Sequence, residues 1–304
     1  MPRSLNAASP STRPEIDRPQ DARFGILLMI VGLALFTGGE ALVKVLAKDH
    51  EIAQIVWARY IFHALITFVI FQRVGLLANA KTSRPWLHLA RSALMLTATA
   101  FFFTALRYLP LADAVAIAFF TPIMVTALSI PILKEKVGPR RWMAIATGFV
   151  GAMIIIRPGS GAMHWAAMLP LGSALCYALY QILTRIASRS DTTNTSLFWT
   201  SAFGVVATSI LVPFFWAPPS ALGWAMMVVL GALYGLGHYL LIRGLEPATA
   251  SVLAPFFYTQ IIWATLFGLL IFDQFPDMYT LAGMTIVIAS GLYIWWRETN
   301  LSAG

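Results

Sequence analysis

The sequence predicts an all-α membrane protein of ten transmembrane helices, built as two inverted five-helix repeats with both termini cytoplasmic. Three observations support this: the composition, the recurrence of apolar runs of membrane-span length, and a pattern shared by the two halves. The 304 residues are 59% hydrophobic and only 11% charged, whereas soluble domains carry about 25% charged residues. A soluble core of this size could not bury so much apolar surface.

The predicted spans follow from length, because a membrane helix needs about 20 predominantly apolar residues. Ten stretches qualify, and the short connections between them hold most of the proline and charge: 24–47, 52–72, 86–107, 112–133, 141–157, 164–187, 195–216, 220–242, 249–272 and 277–297. The fifth is the weakest candidate because it is short. Residues 1–22 are polar and rich in Pro, Ser and Arg, so they predict a disordered cytoplasmic tail and not a signal peptide.

The distribution of Lys and Arg predicts the orientation. With the N-terminus in the cytoplasm, the tail and inner loops collect fifteen of these residues and the outer loops three. Cytoplasmic loops are enriched in Lys and Arg, so both termini are expected inside. The same rule accounts for the net charge of +8 without a nucleic-acid partner. The one cysteine, Cys176, excludes an internal disulfide.

An internal repeat links Arg107–Pro122 (RYLPLADAVAIAFFTP) to Arg243–Tyr258 (RGLEPATASVLAPFFY), which share Arg, Leu, three Ala and Phe at an offset of 136 residues. Each copy leads into a helix with small residues and an internal proline, features typical of a bent helix beside a cavity. Chance similarity of two apolar stretches is the alternative. Matched loops, however, have opposite charge (KEKVGPRR and DQFPD), as inverted repeats require. The repeats would span 24–157 and 164–297.

Residues 106–159 (LRYLPLADAVAIAFFTPIMVTALSIPILKEKVGPRRWMAIATGFVGAMIIIRPG) contain a small-residue helix, a proline, a Leu-Lys-Glu end, a basic loop and a Gly-rich closing helix. In this pattern the chain resembles the drug/metabolite transporter superfamily, in its ten-helix branch of paired EamA repeats. The resemblance covers about 24–297. The second copy departs from the pattern at the Glu position, where Asp273 stands in LIFDQFPD.

Within that branch the chain is most similar to a bacterial subgroup of riboflavin-uptake and S-adenosylmethionine-uptake carriers, through QIVWARYIF (54–62), HLARSAL (88–94), PLADAVAIAFFTP (110–122) and VGPRRW (137–142). The resemblance implies a secondary transporter of the bacterial inner membrane with a central cavity and alternating access. Riboflavin uptake is the first expectation. Uptake of S-adenosylmethionine, or export of amino acids or drugs, is the alternative. The resemblance does not indicate the direction of transport, the coupling ion or the oligomeric state, for which a homodimer is one possibility.

Three charged residues inside the spans form the expected polar skeleton of a substrate site, because charge inside a bilayer is costly. Glu40 and Arg59 should lie at similar depth in adjacent spans and can pair, as a substrate or proton-coupling element or as a structural ion pair. Arg91 is expected either to face the cavity or to extend to the interface. His63 lies one turn below Arg59, as a neutral hydrogen-bonded residue or a proton relay.

The second repeat is more neutral, because Gln181 and Ser201 stand near the equivalents of Glu40 and Arg59. This asymmetry favours a polar organic substrate. Further candidates for the cavity wall are residues that can stack on a flat ring or form hydrogen bonds: Trp57, Tyr177, Tyr180, Tyr234, His238, Tyr258, Gln260 and Trp263. Packing is the alternative for each. Trp86 and His88 are expected to be interfacial anchors, and GLGHYL (235–240) to be a hinge or a close-packed segment.

No pattern for catalysis, cofactors or metal binding stands out. GGE (38–40) lacks the spacing of a phosphate-binding loop, and the histidines are scattered. A membrane enzyme acting on lipid-linked substrates would need paired acids at a surface, for which Asp273 and Asp277 qualify weakly. A channel would need rings of like charge. The sequence therefore predicts a transporter that is not an enzyme and uses no cofactor, metal or nucleic acid.

Overall fold

The computed structural model describes residues 19–71, 81–134, 138–157, 165–245 and 250–301. All regular secondary structure in these ranges is helical. The α-helices are α1 Pro19–Leu46, α2 Ile52–Phe71, α3 Pro85–Tyr108, α4 Leu111–Ala118, α5 Thr121–Leu133, α6 Pro139–Ile156, α7 Met168–Ala187, α8 Thr193–Leu211, α9 Ala221–Gly244, α10 Ala250–Leu253, α11 Thr259–Phe272 and α12 Met278–Leu301. Short 3-10 segments precede α7, follow α8 and join α10 to α11.

The helices confirm the all-α class. Within the described ranges, eight helices are long and apolar enough to cross a membrane, and they match every predicted span except the second and fifth. The fifth corresponds to a shorter apolar helix, Trp142–Ile156. The second corresponds to α2, which has 20 residues. The count of ten spans stays a prediction, and residues 1–18 of the predicted tail lie outside the described residues.

Both matched proline-containing spans are interrupted. The fourth is divided into α4 and α5 by a turn at Phe119 and Phe120, immediately before Thr121 and Pro122. The ninth starts as the short α10 and passes through a 3-10 segment containing Pro255 before α11 begins. Proline lacks an amide hydrogen and clashes with the preceding helical turn. The bends expected from these prolines are confirmed in both halves.

The ends of α5 and α11 give the register between the two halves. Lys134 follows α5 with φ of 58° and Asp273 follows α11 with φ of 53°, both in the left-handed region. Asp273 is therefore the counterpart of Lys134, and Gln274 takes the Glu position of the family pattern. The assignment of Asp273 to that position is wrong by one residue, because the helix end and not the charge fixes the alignment.

Extensive helix contacts join one half of the chain to the other. α1 packs on α9 as α7 packs on α3; α2 packs on α9 as α8 packs on α3; α1 packs on α11 as α7 packs on α5; and α6 packs on α12. Each of the first five predicted spans can be exchanged with its counterpart among the last five, the first with the sixth, the second with the seventh and so on. After this exchange, every contact named above becomes another of the named contacts or stays the same. Such an exchange is typical of paired transporter repeats.

At two of these helix contacts, a glycine of one helix packs directly against a glycine of the other. A Cβ built on Gly32 of α1 or on Gly237 of α9 would lie 3.1 Å from the carbonyl oxygen of the other. Gly151 of α6 and Gly283 of α12 oppose each other in the same way, at 3.0 and 2.7 Å. Small residues allow this close approach of helices in lipid. Because α9 runs unbroken through 235–240, the structure favours close packing there over a hinge.

Candidate functional site

Glu40 lies in α1 with 7% of its surface exposed. Gln260 of α11 donates a hydrogen bond from Nε2 to Glu40 Oε1 at 3.0 Å. The other carboxyl oxygen, Oε2, is buried and has no hydrogen-bond partner among the described residues. A half-satisfied carboxyl in a membrane interior is costly. Glu40 is therefore a group that a ligand or a proton can satisfy.

Arg59 of α2 is also 7% exposed and is enclosed by aromatic rings. Its guanidinium carbon lies 4.5 Å from the ring centre of Tyr234, 5.0 Å from that of Tyr60 and 5.8 Å from that of Phe103. Nη1 donates to Thr99 Oγ1 at 3.1 Å, whereas Nε is buried without a partner in the described chain. Aromatic faces attract cations, so the rings hold the charge while the Nε N–H has no acceptor among the described residues.

The direct ion pair expected between Glu40 and Arg59 is not formed. No salt bridge joins them among the described residues, since the carboxyl bonds to Gln260 and the guanidinium faces Tyr234. The prediction is wrong because equal depth does not fix how each helix is rotated. Gly39 admits the tyrosine, as a Cβ at this position would lie 2.8 Å from the Tyr234 ring. The two charged groups are thus held apart.

Two histidines extend this group of residues. His63 of α2 and His238 of α9 face each other with ring centres 5.4 Å apart. The ring centre of Phe36 lies 5.5 Å from that of His238 and 5.1 Å from that of Tyr234. Phe36 therefore connects the histidines to the rings around Arg59. The structure therefore brings together six predicted site residues, here called the central cluster: Glu40, Arg59, His63, Tyr234, His238 and Gln260.

Buried polar atoms without hydrogen-bond partners recur in and beside the central cluster. In the described part of the chain they include Glu40 Oε2, Arg59 Nε, Tyr60 OH, His238 Nδ1 and Trp263 Nε1. Buried polar groups in folded proteins are almost always hydrogen-bonded. Binding sites for small molecules combine aromatic walls with a few convergent polar groups. The central cluster contains both the aromatic rings and the unpartnered polar groups from which such sites are built.

Sequence reasoning missed four residues of this region. Tyr60, Thr99 and Phe103 contact Arg59, and Phe36 packs against Tyr234 and His238. Thr99 and Phe103 lie one turn apart on α3, so helical spacing could have grouped them. Nothing in the sequence indicates that this face of α3 meets Arg59. Its orientation depends on packing against the second half.

Trp57 lies in a separate group. Its Nε1 donates to Ser209 Oγ at 3.2 Å, and its ring centre lies 5.6 Å from that of Trp216 and 6.3 Å from that of Trp224. Gln54, one turn earlier, donates from Nε2 to the carbonyl oxygen of residue 217 at 2.8 Å. This tryptophan junction ties the start of α2 to the end of α8 and the start of α9.

The remaining neutral candidates have other neighbours. The ring centre of Tyr258 lies 5.2 Å from that of Phe119, so the interrupted parts of the fourth and ninth spans contact each other. Tyr177 stacks on Tyr180 of the same helix at 5.6 Å. Gln181 is exposed on α7. A role for these residues in binding stays a prediction.

Arg91 is only 1% exposed and is surrounded by protein acceptors. Its Nε donates to Thr184 Oγ1 at 3.1 Å, its Nη1 to the Ser196 carbonyl oxygen at 2.8 Å, and its Nη2 to the Tyr180 hydroxyl at 3.0 Å. These bonds join α3 to α7 and α8. The side chain does not extend to the interface, which was one of the two alternatives for this residue.

His88 is fully buried beside Arg91, so its assignment as an interfacial anchor is wrong. Its Nδ1 lies 3.4 Å from Arg91 Nη1 and its Nε2 lies 3.3 Å from Asp191 Oδ2, so the ring bridges a guanidinium and a carboxylate. The ring also stacks on Trp199 at 5.9 Å. Trp86, in contrast, is 80% exposed, as an anchor requires.

Asp191 completes this group at the loop between α7 and α8. Burial acts to raise the pKa of its carboxyl. Hydrogen bonds with Ser190, Thr82 and His88 outweigh that effect and hold the pKa below its ordinary value of 3.8. The residues that connect these helix ends are here called the polar junction: His88, Arg91, Tyr180, Thr184, Asp191 and Ser196.

Relatives of the chain have names that refer to transport. A riboflavin transporter of Rhizobium johnstonii is 29% identical over 241 residues, covering 79% of this chain and 80% of that protein. An S-adenosylmethionine uptake transporter of Rickettsia bellii is 24% identical over 276 residues, covering 90% and 94%. A pseudopaline exporter of Pseudomonas aeruginosa is 26% identical over 271 residues, covering 88% and 94%.

Structure and family comparisons agree with the helical architecture. A crystal structure of a protein 14% identical to this one matches with a TM-score of 0.59, covering 90% of this chain and 96% of that one, which supports the fold alone. The EamA-like transporter family matches residues 23–157 and again 164–296. The protein is therefore a multi-pass protein of the bacterial inner membrane. With nearly the whole chain matched, it belongs to the EamA-like transporter family.

Proposed function

We propose that this transporter moves a small polar organic metabolite by alternating access, with the central cluster as its substrate site. The observation that carries the proposal is the set of buried polar atoms without partners around Glu40 and Arg59. A ligand with donors and acceptors would satisfy these atoms. Because the carboxyl and the guanidinium are held apart, a ligand can contact each of them without first breaking a strong salt bridge.

The proposed mechanism uses ten helices in two inverted repeats, 24–157 and 164–297, with both termini in the cytoplasm. The two family matches, the contacts that exchange between halves and the excess of basic residues in the predicted inner loops support this arrangement. In such transporters one repeat moves against the other around a fixed site. Single cysteines at Lys81 and Asp277, in a chain without Cys176, test it: an impermeant thiol reagent added to cells should label only position 277.

Riboflavin uptake is the first candidate for the substrate. A relative named as a riboflavin transporter matches over 79% of the chain. The rings of Tyr60, Phe103 and Tyr234 around Arg59 suit a flat heterocycle, and the unpartnered donors and acceptors suit a polyhydroxylated one. S-adenosylmethionine uptake is the second candidate, since Glu40 could face a cationic substrate and a relative of that name covers 90% of the chain. Export is a further alternative, given the exporter among the relatives.

An enzyme acting at the membrane surface is a weaker proposal, because one of the two candidate acids, Asp277, has a structural role. Asp277 forms an ion pair with Arg157 and accepts a hydrogen bond from the Thr280 amide at 2.8 Å, which caps α12. Burial acts to raise the pKa of Asp277, but the bonds from Arg157 and Thr280 hold it below 3.8. A carboxyl with a lowered pKa is a poor general acid at neutral pH.

Growth rescue separates the candidates. One bacterial strain would lack riboflavin synthesis and its own uptake system, and a second would depend on imported S-adenosylmethionine. We expect rescue of the first strain. Rescue of only the second would favour the alternative substrate, and rescue of neither would favour export.

The Glu40→Gln variant tests the site itself, since it keeps the shape of the side chain but removes its charge and proton-carrying capacity. We expect uptake to fall at least about tenfold at equal protein level. Uptake at the wild-type rate would reduce Glu40 to a structural residue.

A further inference from the structure

A cavity of about 920 Å³ opens where the C-terminal ends of α1, α3 and α11 meet. Its lining includes three cationic side chains, Lys44, Lys48 and Arg107, against a single acid, Asp273. We refer to it as the basic cavity. It is separate from the central cluster in its lining residues, and the proposed transport mechanism does not use it.

Lys44 is held in place at the wall of the basic cavity. Its Nζ donates to the carbonyl oxygens of Leu106 and Leu109 at 3.1 and 2.6 Å and lies 5.5 Å from the ring centre of Phe272. These carbonyls belong to the last turn of α3 and to the residue that caps it, where a cation is favourable. An ammonium group has three donors, so one N–H is left to meet a ligand from a fixed position.

Lys48 and Arg107 add charge that the protein compensates weakly. Lys48 is exposed one turn after Lys44, and like charges at this spacing repel each other. Arg107 has an ion pair with Glu51 at 3.7 Å, in which both side chains are substantially exposed. Exposed pairs of this kind contribute little to stability. A bound anion would relieve the repulsion and could replace Glu51 at Arg107.

An apolar part of the cavity lining indicates the source of the anion. Leu269, Leu270 and Ile271 form an apolar part of the lining on a helix that is apolar enough to cross the membrane, and Leu270 is 70% exposed. Acyl chains would lie against these residues.

We propose that the basic cavity binds a phosphate group, supplied by the headgroup of an anionic phospholipid. Lys44, Lys48 and Arg107 would contact the phosphate oxygens, and the lipid chains would follow α11. Cations near a membrane surface attract anionic lipid, each by roughly fivefold in affinity. The bound lipid would hold the ends of α1, α3 and α11 together.

Native mass spectrometry of the full-length protein tests this, after extraction from vesicles of equal phosphatidylglycerol and phosphatidylcholine. We expect the wild type to retain phosphatidylglycerol selectively. The double variant Lys48→Gln/Arg107→Gln should lose roughly twentyfold in retention, and Lys48→Gln alone roughly fivefold. Lys81→Gln/Arg84→Gln removes the same charge from exposed residues elsewhere and should retain the lipid. Lys44 is left unchanged because it supports the end of α3.

Inorganic phosphate separates the two sources of the ligand. If millimolar phosphate stabilises the wild type against heat in phosphatidylcholine, the double variant abolishes this effect, and no phosphatidylglycerol is retained, the cavity takes a soluble phosphate and the lipid source is wrong. If the double variant retains phosphatidylglycerol as the wild type does and responds equally to phosphate, the basic cavity is not a phosphate site. Lys48 and Arg107 are exposed, so size-exclusion profiles of all variants should match.

Discussion

Arg59 and Arg91 are both buried arginines in helices of the first half, but their surroundings differ. Arg91 donates hydrogen bonds to Thr184, Ser196 and Tyr180 and borders His88. Arg59 donates one hydrogen bond, and its Nε has no partner among the described residues. A guanidinium carries five N–H donors. The N–H groups of Arg91 form hydrogen bonds that join three helices, whereas the guanidinium of Arg59 is surrounded mainly by aromatic rings.

The comparison shows that burial alone does not identify a functional charge. A buried polar group with its hydrogen bonds satisfied stabilises a particular packing, whereas one left unsatisfied costs free energy and calls for an explanation. Arg91 and the polar junction fit the first description. Arg59 and Glu40 fit the second, which is why the proposed substrate site is built on them.

The largest expected effect is on stability. Arg91→Leu should lower the free energy of unfolding by about 3 kcal/mol or more, because it breaks a buried network and leaves its acceptors unpaired. Arg59→Leu should change it by less than about 1 kcal/mol, because removing a poorly bonded buried charge offsets the lost contacts. Denaturant unfolding of both variants in the same detergent measures this. Equal losses would remove the distinction between the two arginines.

Transport should show the opposite order. Arg59→Lys keeps the charge but loses the planar group that stacks between Tyr234 and Tyr60, and lysine does not replace arginine at stacked sites. Uptake per folded protein should fall at least about tenfold with an unchanged unfolding midpoint. The matched variant Arg91→Lys should lower the unfolding midpoint and the protein level instead. Normal uptake by Arg59→Lys would exclude a direct role for the guanidinium.

The sequence was sufficient for the fold class, since composition, apolar run length and charged loops are local properties. The bends at Pro122 and Pro255 were predictable for the same reason. Trp57 in VWARYIF and Trp199 in FWTSAFG lie near the start of the second predicted span of each repeat. The structure gives each an aromatic neighbour at the start of a helix from the opposite half, Trp224 for Trp57 and His88 for Trp199.

The site was predictable only in part, because its geometry depends on partners distant in sequence. Glu40 meets Gln260, 220 residues away, and Arg91 meets Ser196, 105 residues away. Residue type and depth made Arg59 and Arg91 look alike. Only the rotation of each helix, set by close contacts such as that of Gly39 with Tyr234, decides which arginine is satisfied.

The pH dependence of stability tests how Asp191 contributes to the polar junction. Its pKa in the folded protein lies below the ordinary value of 3.8. Its carboxylate therefore contributes stability that is complete above the ordinary pKa and is lost as pH falls through the lowered value. Asp191→Asn should cost about 1 kcal/mol at pH 7 and reduce the loss of stability on acidification below about pH 4.

Unfolding measured across acidic pH for the wild type and Asp191→Asn tests this. Asp49→Asn is the matched control, because Asp49 is an exposed acid in another loop. If both variants lose stability on acidification as the wild type does, Asp191 does not hold the junction together through its charge.

The smallest expected effect is the difference between two threonines that form the same pair of hydrogen bonds. Thr99 donates to the carbonyl oxygen four residues earlier at 2.9 Å and accepts from Arg59, while Thr184 donates in the same way at 2.7 Å and accepts from Arg91. Valine keeps their shape but cannot accept a hydrogen bond. Thr184→Val should cost about 1 kcal/mol of stability, because Arg91 is confined by its other bonds and cannot find a new acceptor.

Thr99→Val should cost less than about 0.5 kcal/mol, because the rings around Arg59 still hold the cation. It should instead change the substrate concentration for half-maximal uptake by about threefold, since a freed N–H at Arg59 faces the proposed site. Paired unfolding and uptake measurements on the two variants separate the outcomes. A stability loss at Thr99 as large as that at Thr184 would mean that Arg59, too, is a fixed structural residue, and the proposed site would then lose its cation.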